Sequence, residues 1–529
     1  MAAASRVFTC LMLAVCAASP CLADTTDQSP PAAGGGTRMP GLAGPLFNQD
    51  CTDYFYTNYV TDAVDAGADI DAYFDVLADA GVKVLLINTN ARKTNYKSAV
   101  WESFWDGYDP QAGDDHPFVK SLGSGDTAGY RRMIHSMMEI DRQGVDYPAR
   151  VIARCRKRGV SPWISLRMND VHFNDDLNHP FHGALWREEK YHRGGGGYYG
   201  RGLDYAHQEV RDLYRALIVE SLERYDMDGL ELDFMREPYL FRPGAEQEGR
   251  AILTQWIREM SALVRDAAEK RGHPILLGVR MPSHVEVALS WGLDAPAWAR
   301  EGLIDLVVAT PRWATLEYDM PLGNWKQALE GTGVALAGGL EILHRPMPSG
   351  PAVSVTREQA AGAATAALAA GADAVYLFNY FSPIANSPAW TPEGYRATLS
   401  AMSSLDAISA LPRRHAITWR DITGCGEHYQ APLPAEGKSL SFEIPTGPKP
   451  ADNARVWVEV HVEKPDTPPM VSLNGLTCTL REGETGAAGA LIYDAPANAL
   501  PGMQRDTVGI AAVGDAPVKV MGVEIRIGP

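Results

Sequence analysis

A chain of 529 residues is too long for one compact core, and a formal net charge of -17 disfavours nucleic acid or an anionic membrane surface as partner. A content of 46% hydrophobic and 21% charged residues is that of an ordinary globular protein. A neutral polymer suits such a surface, whereas an acidic one needs a local basic pocket.

The N-terminus reads as an export signal. Arg6 precedes an apolar run at residues 7–18 that is too short to span a bilayer, and Cys21-Leu22-Ala23 offers small residues for cleavage before Asp24. Residues 1–23 are therefore expected to be a signal peptide and the mature protein secreted or periplasmic. A lipid anchor at Cys16 is the lesser alternative, because Val15 is a poor residue before a lipidated cysteine. No later segment reads as a membrane span. Residues 24–40, rich in Pro, Gly, Ala and Thr, predict a disordered linker. Cys51, Cys155, Cys425 and Cys478 remain after cleavage; pairing of Cys425 with Cys478, or of Cys51 with Cys155, stands beside four free thiols.

Eight short apolar runs follow, at residues 45–47, 82–87, 162–166, 229–232, 275–279, 304–309, 334–340 and 374–378, each ending in polar residues. Helical patterns lie between them at 69–80, 147–158, 208–224, 246–271, 356–370 and 392–405. This alternation predicts an α/β fold, a (β/α)8 TIM barrel over residues 41–410. From residue 411 the pattern changes to alternating runs at 439–444, 454–462, 470–473, 507–513 and 518–527. These predict a C-terminal antiparallel β-sandwich domain over 411–529.

In such a barrel the loops after the strands carry the site. Two of them are long, at residues 91–146 and 171–205, and hold Trp101, Trp105, Trp186, Tyr198 and Tyr199, which suit stacking on sugar rings or packing of the loops themselves. The strand ends supply Asp50, Asn90, Arg167, Asp170, Asp233, Arg280, Arg312, Trp313, Glu341, Asn379 and Tyr380. Hydrolysis of a glycosidic bond needs two carboxyl groups, one to protonate the leaving oxygen and one to attack or to activate water. Asp233 and Glu341, at the ends of strands four and seven, are the expected pair, with Glu237 a further carboxyl. Each also has a structural reading, Asp233 as the partner of Arg167 or Arg280 and Glu341 as a rim ion pair. Glu231, deeper in strand four, suits a buried partner for an inward arginine. Arg167, Arg280 and Arg312 fit either a sugar carboxylate or sulfate or the rim acids. His172 is expected to bind sugar or shuttle a proton. The surrounding His/Asp-rich loop leaves a metal-dependent hydrolase as an alternative, although no ligand spacing in it is specific and no metal or cofactor is expected. A non-catalytic carbohydrate-binding barrel is the third reading.

The run Asp228-Gly229-Leu230-Glu231-Leu232-Asp233 resembles the strand-four signature of glycoside-hydrolase-like barrels, among them the chitinase-type and "glycosyl hydrolase-like 10" families. The resemblance covers residues 41–410 and implies a carbohydrate substrate. A chitinase-type motif sets its acid glutamate two residues after Asp233, where this chain has Met235. In barrels similar to α-galactosidases the acid comes from strand six, which here ends in Thr310-Pro311-Arg312. Barrels of the large retaining clan use strands four and seven, which Asp233 and Glu341 approximate.

Overall fold

The computed structural model describes residues 39, 42, 44–123, 126–312, 315–378, 390–420, 431–463, 467–486, 489–502 and 505–529. Eight parallel strands close into a barrel in chain order: β1 (Leu46–Gln49), β2 (Val84–Asn88), β3 (Ser161–Arg167), β4 (Gly229–Asp233), β5 (Leu276–Pro282), β6 (Leu306–Thr310), β7 (Ala335–Leu340) and β8 (Ala374–Phe378). All eight expected strands are present, and most extend one or two residues further into the polar ends than the apolar runs suggest.

The strands read as near-continuous apolar runs because both of their faces are covered. Side chains alternate between two cores. Phe47, Leu85, Ile164, Leu166, Leu230 and Leu232 pack outward against the helices. Leu46, Leu86, Trp163, Val308, Ala337 and Tyr376 fill the interior. Trp163 is 1% exposed and spans the barrel floor. Its space is made by two glycines on neighbouring strands: a Cβ at Gly229 would lie 2.2 Å from the indole, and one at Gly278 would lie 2.9 Å from it.

The helices Tyr147–Arg158, Gln208–Arg224 and Glu246–Arg271 have the expected ranges. The helix expected over 69–80 runs Ala66–Asp79, because the Asp65 side chain caps it by accepting from the Ala68 amide. The helix expected over 392–405 stops at Ala401, and Ser404 caps a new turn, Leu405–Ser409.

The C-terminal strands form two antiparallel sheets. One runs Arg413–Ala416, Val518–Gly528, Arg455–Val462, Leu491–Asp494, Thr479–Thr485, with Ala435–Gly437 also on Val518–Gly528; the other runs Ser439–Ile444, Asp506–Ala511, Met470–Leu473, Leu476–Thr477. Phe442, Ile444 and Val508 from one sheet and Val458, Val520 and Ile525 from the other share one core, which makes a β-sandwich. The strand Thr479–Thr485 was not expected. It is polar and largely exposed, so it carries no alternation to read.

The sandwich lies directly on the barrel's alanine-rich helix, Arg357–Ala369, which is closed at its start by a reciprocal capping box between Thr356 and Gln359. Arg413–Ala416 runs so close to this helix that a Cβ on Gly362 would sit 1.9 Å from the Arg414 carbonyl oxygen. Cys51, Cys155 and Cys478 are buried free thiols, so the Cys51–Cys155 pairing is not made; Cys425 lies outside the described residues.

Gly229→Ala is expected to lower stability by about 1–3 kcal/mol through overpacking against Trp163. Denaturant midpoints of the single variant and of Gly229→Ala/Trp163→Leu check this. The smaller side chain at 163 should restore part of the loss.

Candidate active site

The inward side chains of β4 climb the barrel axis in two steps. At the lower step Glu231 is fully buried, and its Oε2 accepts from Ser165 Oγ at 2.6 Å, Asn48 Nδ2 at 3.1 Å and the Tyr376 hydroxyl at 3.1 Å. Burial and the charge of Asp233 push its carboxyl up to about 7.

At the upper step Asp233 is 1% exposed and Arg280, on β5, is completely buried. Arg280 Nη1 lies 3.2 Å from both Asp233 oxygens, and its Nη2 lies 3.4 Å from Glu341 Oε1 just past β7. The guanidinium rests 3.7 Å from the Phe378 ring centroid. The two carboxylates expected as a catalytic pair are thus joined through one arginine. Asp233 also shapes the chain beyond it. Its Oδ1 accepts from the Met235 amide at 2.9 Å and the Arg236 amide at 3.2 Å, a tight turn that folds residues 235–237 over the barrel end.

Above this lies a second cluster. Arg167, at the end of β3, pairs with Asp50 and, at 3.2 Å, with Asp170. Burial alone would raise the Asp50 and Asp170 carboxyls. Arg167 and Arg236 outweigh it at Asp50, and His172, Arg92 and Arg167 do so at Asp170, so both are lowered, Asp170 strongly. His172 is bonded on both ring nitrogens: Nδ1 is 2.9 Å from Asp170 Oδ1, and Nε2 is 2.7 Å from Arg236 Nη2. Arg236 is a donor only, so Nε2 accepts and Nδ1 carries the proton. Partial burial and the Arg236 charge hold this imidazole below its usual range.

Glu237 contrasts with Asp50 and Asp170. It is 2% exposed. Its Oε2 lies 3.4 Å from Arg312 Nη2, while its Oε1 is buried and has no hydrogen-bond partner among the described residues. Burial pushes the carboxyl up to about 7 against the pull of Arg312 and Arg236. Arg312 in turn lies 4.8 Å from the centroid of Tyr199.

The remaining expected residues divide. Asn90 is occupied by the backbone of Arg167, accepting from its amide at 3.0 Å and donating to its carbonyl at 3.1 Å. Trp313, Asn379 and Tyr380 lie outside the described residues. Trp101, Trp105, Trp186 and Tyr199 are buried, and Tyr198 is exposed. The histidines of the loop after β3 brace it: His179 stacks on Phe173 at 4.0 Å, and His182 Nε2 donates to the Phe173 and Asp176 carbonyls at 3.0 and 2.8 Å. Among the described residues no three His, Cys, Asp or Glu side chains gather as metal ligands. Sequence reasoning passed over Arg236. Its signal was its place three residues after Asp233, within reach of a turn capped by that carboxylate.

Arg280→Met is expected to destabilise the fold by about 3–5 kcal/mol, because it strands two buried carboxylates. Thermal unfolding of this variant beside Arg280→Met/Asp233→Asn/Glu341→Gln checks it, and the triple variant should recover much of the loss.

No protein family profile matches the chain, and no curated protein matches it by sequence. Among solved structures it is similar to an endo-β-1,4-mannanase from Thermotoga petrophila, at 12% identity and a TM-score of 0.43 over 91% of this chain and 97% of that one. It is similar to an α-L-fucosidase from Paenibacillus thiaminolyticus at 13% identity and a TM-score of 0.40, over 70% of this chain and 50% of that one. A Paenibacillus cycloisomaltooligosaccharide glucanotransferase aligns at 8% identity and a TM-score of 0.34, over 91% of this chain and 57% of that one. The chain thus spans about half the length of the latter two. These values are low, and the chemistry rests on the site itself.

Proposed function

We propose that this protein is a glycoside hydrolase in which Glu237 protonates the leaving oxygen and Asp233 is the anionic partner. The observation that carries the reading is the contrast between two carboxyls on one strand extension. Glu237 has a buried oxygen with no hydrogen-bond partner among the described residues, and burial raises its carboxyl to about 7. Asp233, four residues earlier, faces a buried guanidinium. Two carboxyls set apart by their environments are what acid-assisted glycoside cleavage requires. Glu237, not Glu341, is proposed as the acid, because burial raises its carboxyl to about 7, which keeps a proton on it near neutral pH, whereas Glu341 is tied to the Arg280 that also holds Asp233. Glu341 acts through Arg280 as a positioning residue. Asp50, Arg167, Asp170 and His172 form the wall against which the sugar lies, with Tyr198 available for stacking. The proposal includes residues 1–23 as an export signal, a secreted or periplasmic location and the sandwich as an accessory domain over 411–529. Among the described residues no helix is long and apolar enough to cross a membrane.

Glu237→Gln is expected to lose about 10²–10⁴-fold in kcat/KM on natural glycans but far less on aryl glycosides with strongly activated leaving groups, which do not need protonation. Equal loss on both kinds of substrate sinks the assignment. Asp233→Asn should abolish turnover of both.

The wild-type rate on unactivated glycans should fall as pH rises through about 7, because the acid works only while protonated and Glu237 gives up its proton there. A pH profile that keeps this limb in Glu237→Gln overturns the role.

A further inference from the structure

Arg236 is set apart from the other arginines of the barrel mouth. Arg167 is matched by Asp50 and Asp170, Arg280 by Asp233 and Glu341, Arg312 by Glu237, and Arg92 lies 3.9 Å from Asp170. Among the described residues Arg236 has no carboxylate within ion-pair distance. Among the described residues its side chain makes one hydrogen bond, the donation to His172 Nε2 at 2.7 Å, and its Nε has no partner. The guanidinium centre stands 6.0 Å from the Phe378 ring, on the same aromatic floor as Arg280. Arg236 is half-buried, and the His172 side chain beside it is 38% exposed, whereas Asp233, Glu237, Arg280 and Glu341 are 2% exposed or less.

Its position is rigidly determined. The Asp233 carboxylate holds the Arg236 amide, and the chain Asp170–His172 holds its guanidinium. A cation whose orientation is fixed by a neutral imidazole, rather than neutralised by a carboxylate, keeps its charge and free N–H groups for a ligand. The local charge agrees. Five arginines, at 92, 167, 236, 280 and 312, face the acids Asp50, Asp170, Asp233, Glu237 and Glu341. Asp50 and Glu237 both lie within the field of Arg236, but Asp50 is bonded to Arg167, and Glu237 sits by Arg312 with its carboxyl raised. In a chain of net charge -17, the mouth of the barrel is thus locally matched in charge, and Arg236 is the one of the five arginines without a carboxylate of its own among the described residues.

We infer that Arg236 receives an anionic substituent of the substrate, a carboxylate or sulfate on a sugar ring, so that the protein acts on acidic glycans. This rests on the glycan-hydrolase reading above and names its substrate class. His172 is the positioning residue that aims the guanidinium.

The test uses the full-length protein carrying Glu237→Gln, so that binding is read without turnover. The probes are uronic-acid polymers beside their methyl esters and sulfated glycans beside their desulfated forms. Binding is expected only to the charged member of a pair, carboxylate or sulfate as the pairs decide, and should weaken with added salt. Adding Arg236→Met should weaken it about tenfold or more, and Arg236→Lys should restore part of it. Neutral members binding as well as charged ones, no charged member binding, or full binding by a folded Arg236→Met protein each overturns the inference. Should that variant fail to fold, the charged-against-neutral preference and its salt dependence decide. Charge-selective binding without hydrolysis by the wild-type protein sinks the hydrolase and keeps the anion site. Hydrolysis confined to neutral glycans does the reverse.

Discussion

A guanidinium with no solvent contact holds the centre of this molecule. Arg280 sits where β4, β5 and the end of β7 converge, and it touches both Asp233 and Glu341. Taking such charges out of water is expensive unless each is compensated. Here one cation serves two anions and lies 3.7 Å from the ring centroid of Phe378 on β8. Four of the eight strands, β4, β5, β7 and β8, therefore contribute to one electrostatic unit. The turn over the barrel mouth depends on it in turn, because the carboxylate that Arg280 orients is the one that accepts the amides of Met235 and Arg236.

That dependence explains how the acids come to differ. Glu231, Asp233 and Glu237 lie within seven residues of one another, yet each meets a different environment. Glu231 is enclosed by hydroxyls and an amide, Asp233 by a cation and backbone donors, and Glu237 by a distant arginine and little else. Burial pushes the Glu231 and Glu237 carboxyls up to about 7. The partners each one finds decide which can act as an acid, and those partners come from β1, β3, β5, β8 and the loop after β6.

The barrel was legible because its signal is local and repeated. Eight apolar runs ending in polar residues need no knowledge of partners, and Gly159 and Gly272 close their helices in the left-handed region as their spacing suggests. The sandwich was legible only where one face of a strand is buried, which is why Thr479–Thr485 gave no signal. The site was legible as a set of strand-end residues but not as a network. Whether Arg167, Arg280 and Arg312 are spoken for depends on distances across the barrel, and sequence carries none. Asn90 illustrates this: a strand-end amide reads as a ligand contact until the backbone of Arg167 is found to occupy it. The turn that delivers Arg236 and Glu237 depends on a side chain accepting two amides, which periodicity does not encode.

The contact at Gly362 bears on how the molecule comes apart. The helix Arg357–Ala369 is buried nearly all round, its alanines facing the barrel and the strand Arg413–Ala416 together. It has no polar face of its own to offer water. The barrel and the sandwich are therefore not beads on a string but share this helix as a wall, and cutting the chain after the barrel would leave a sticky alanine surface in place of a clean edge. The two halves are expected to melt as one cooperative unit, and a change of sequence on either side of the wall is answerable to the other.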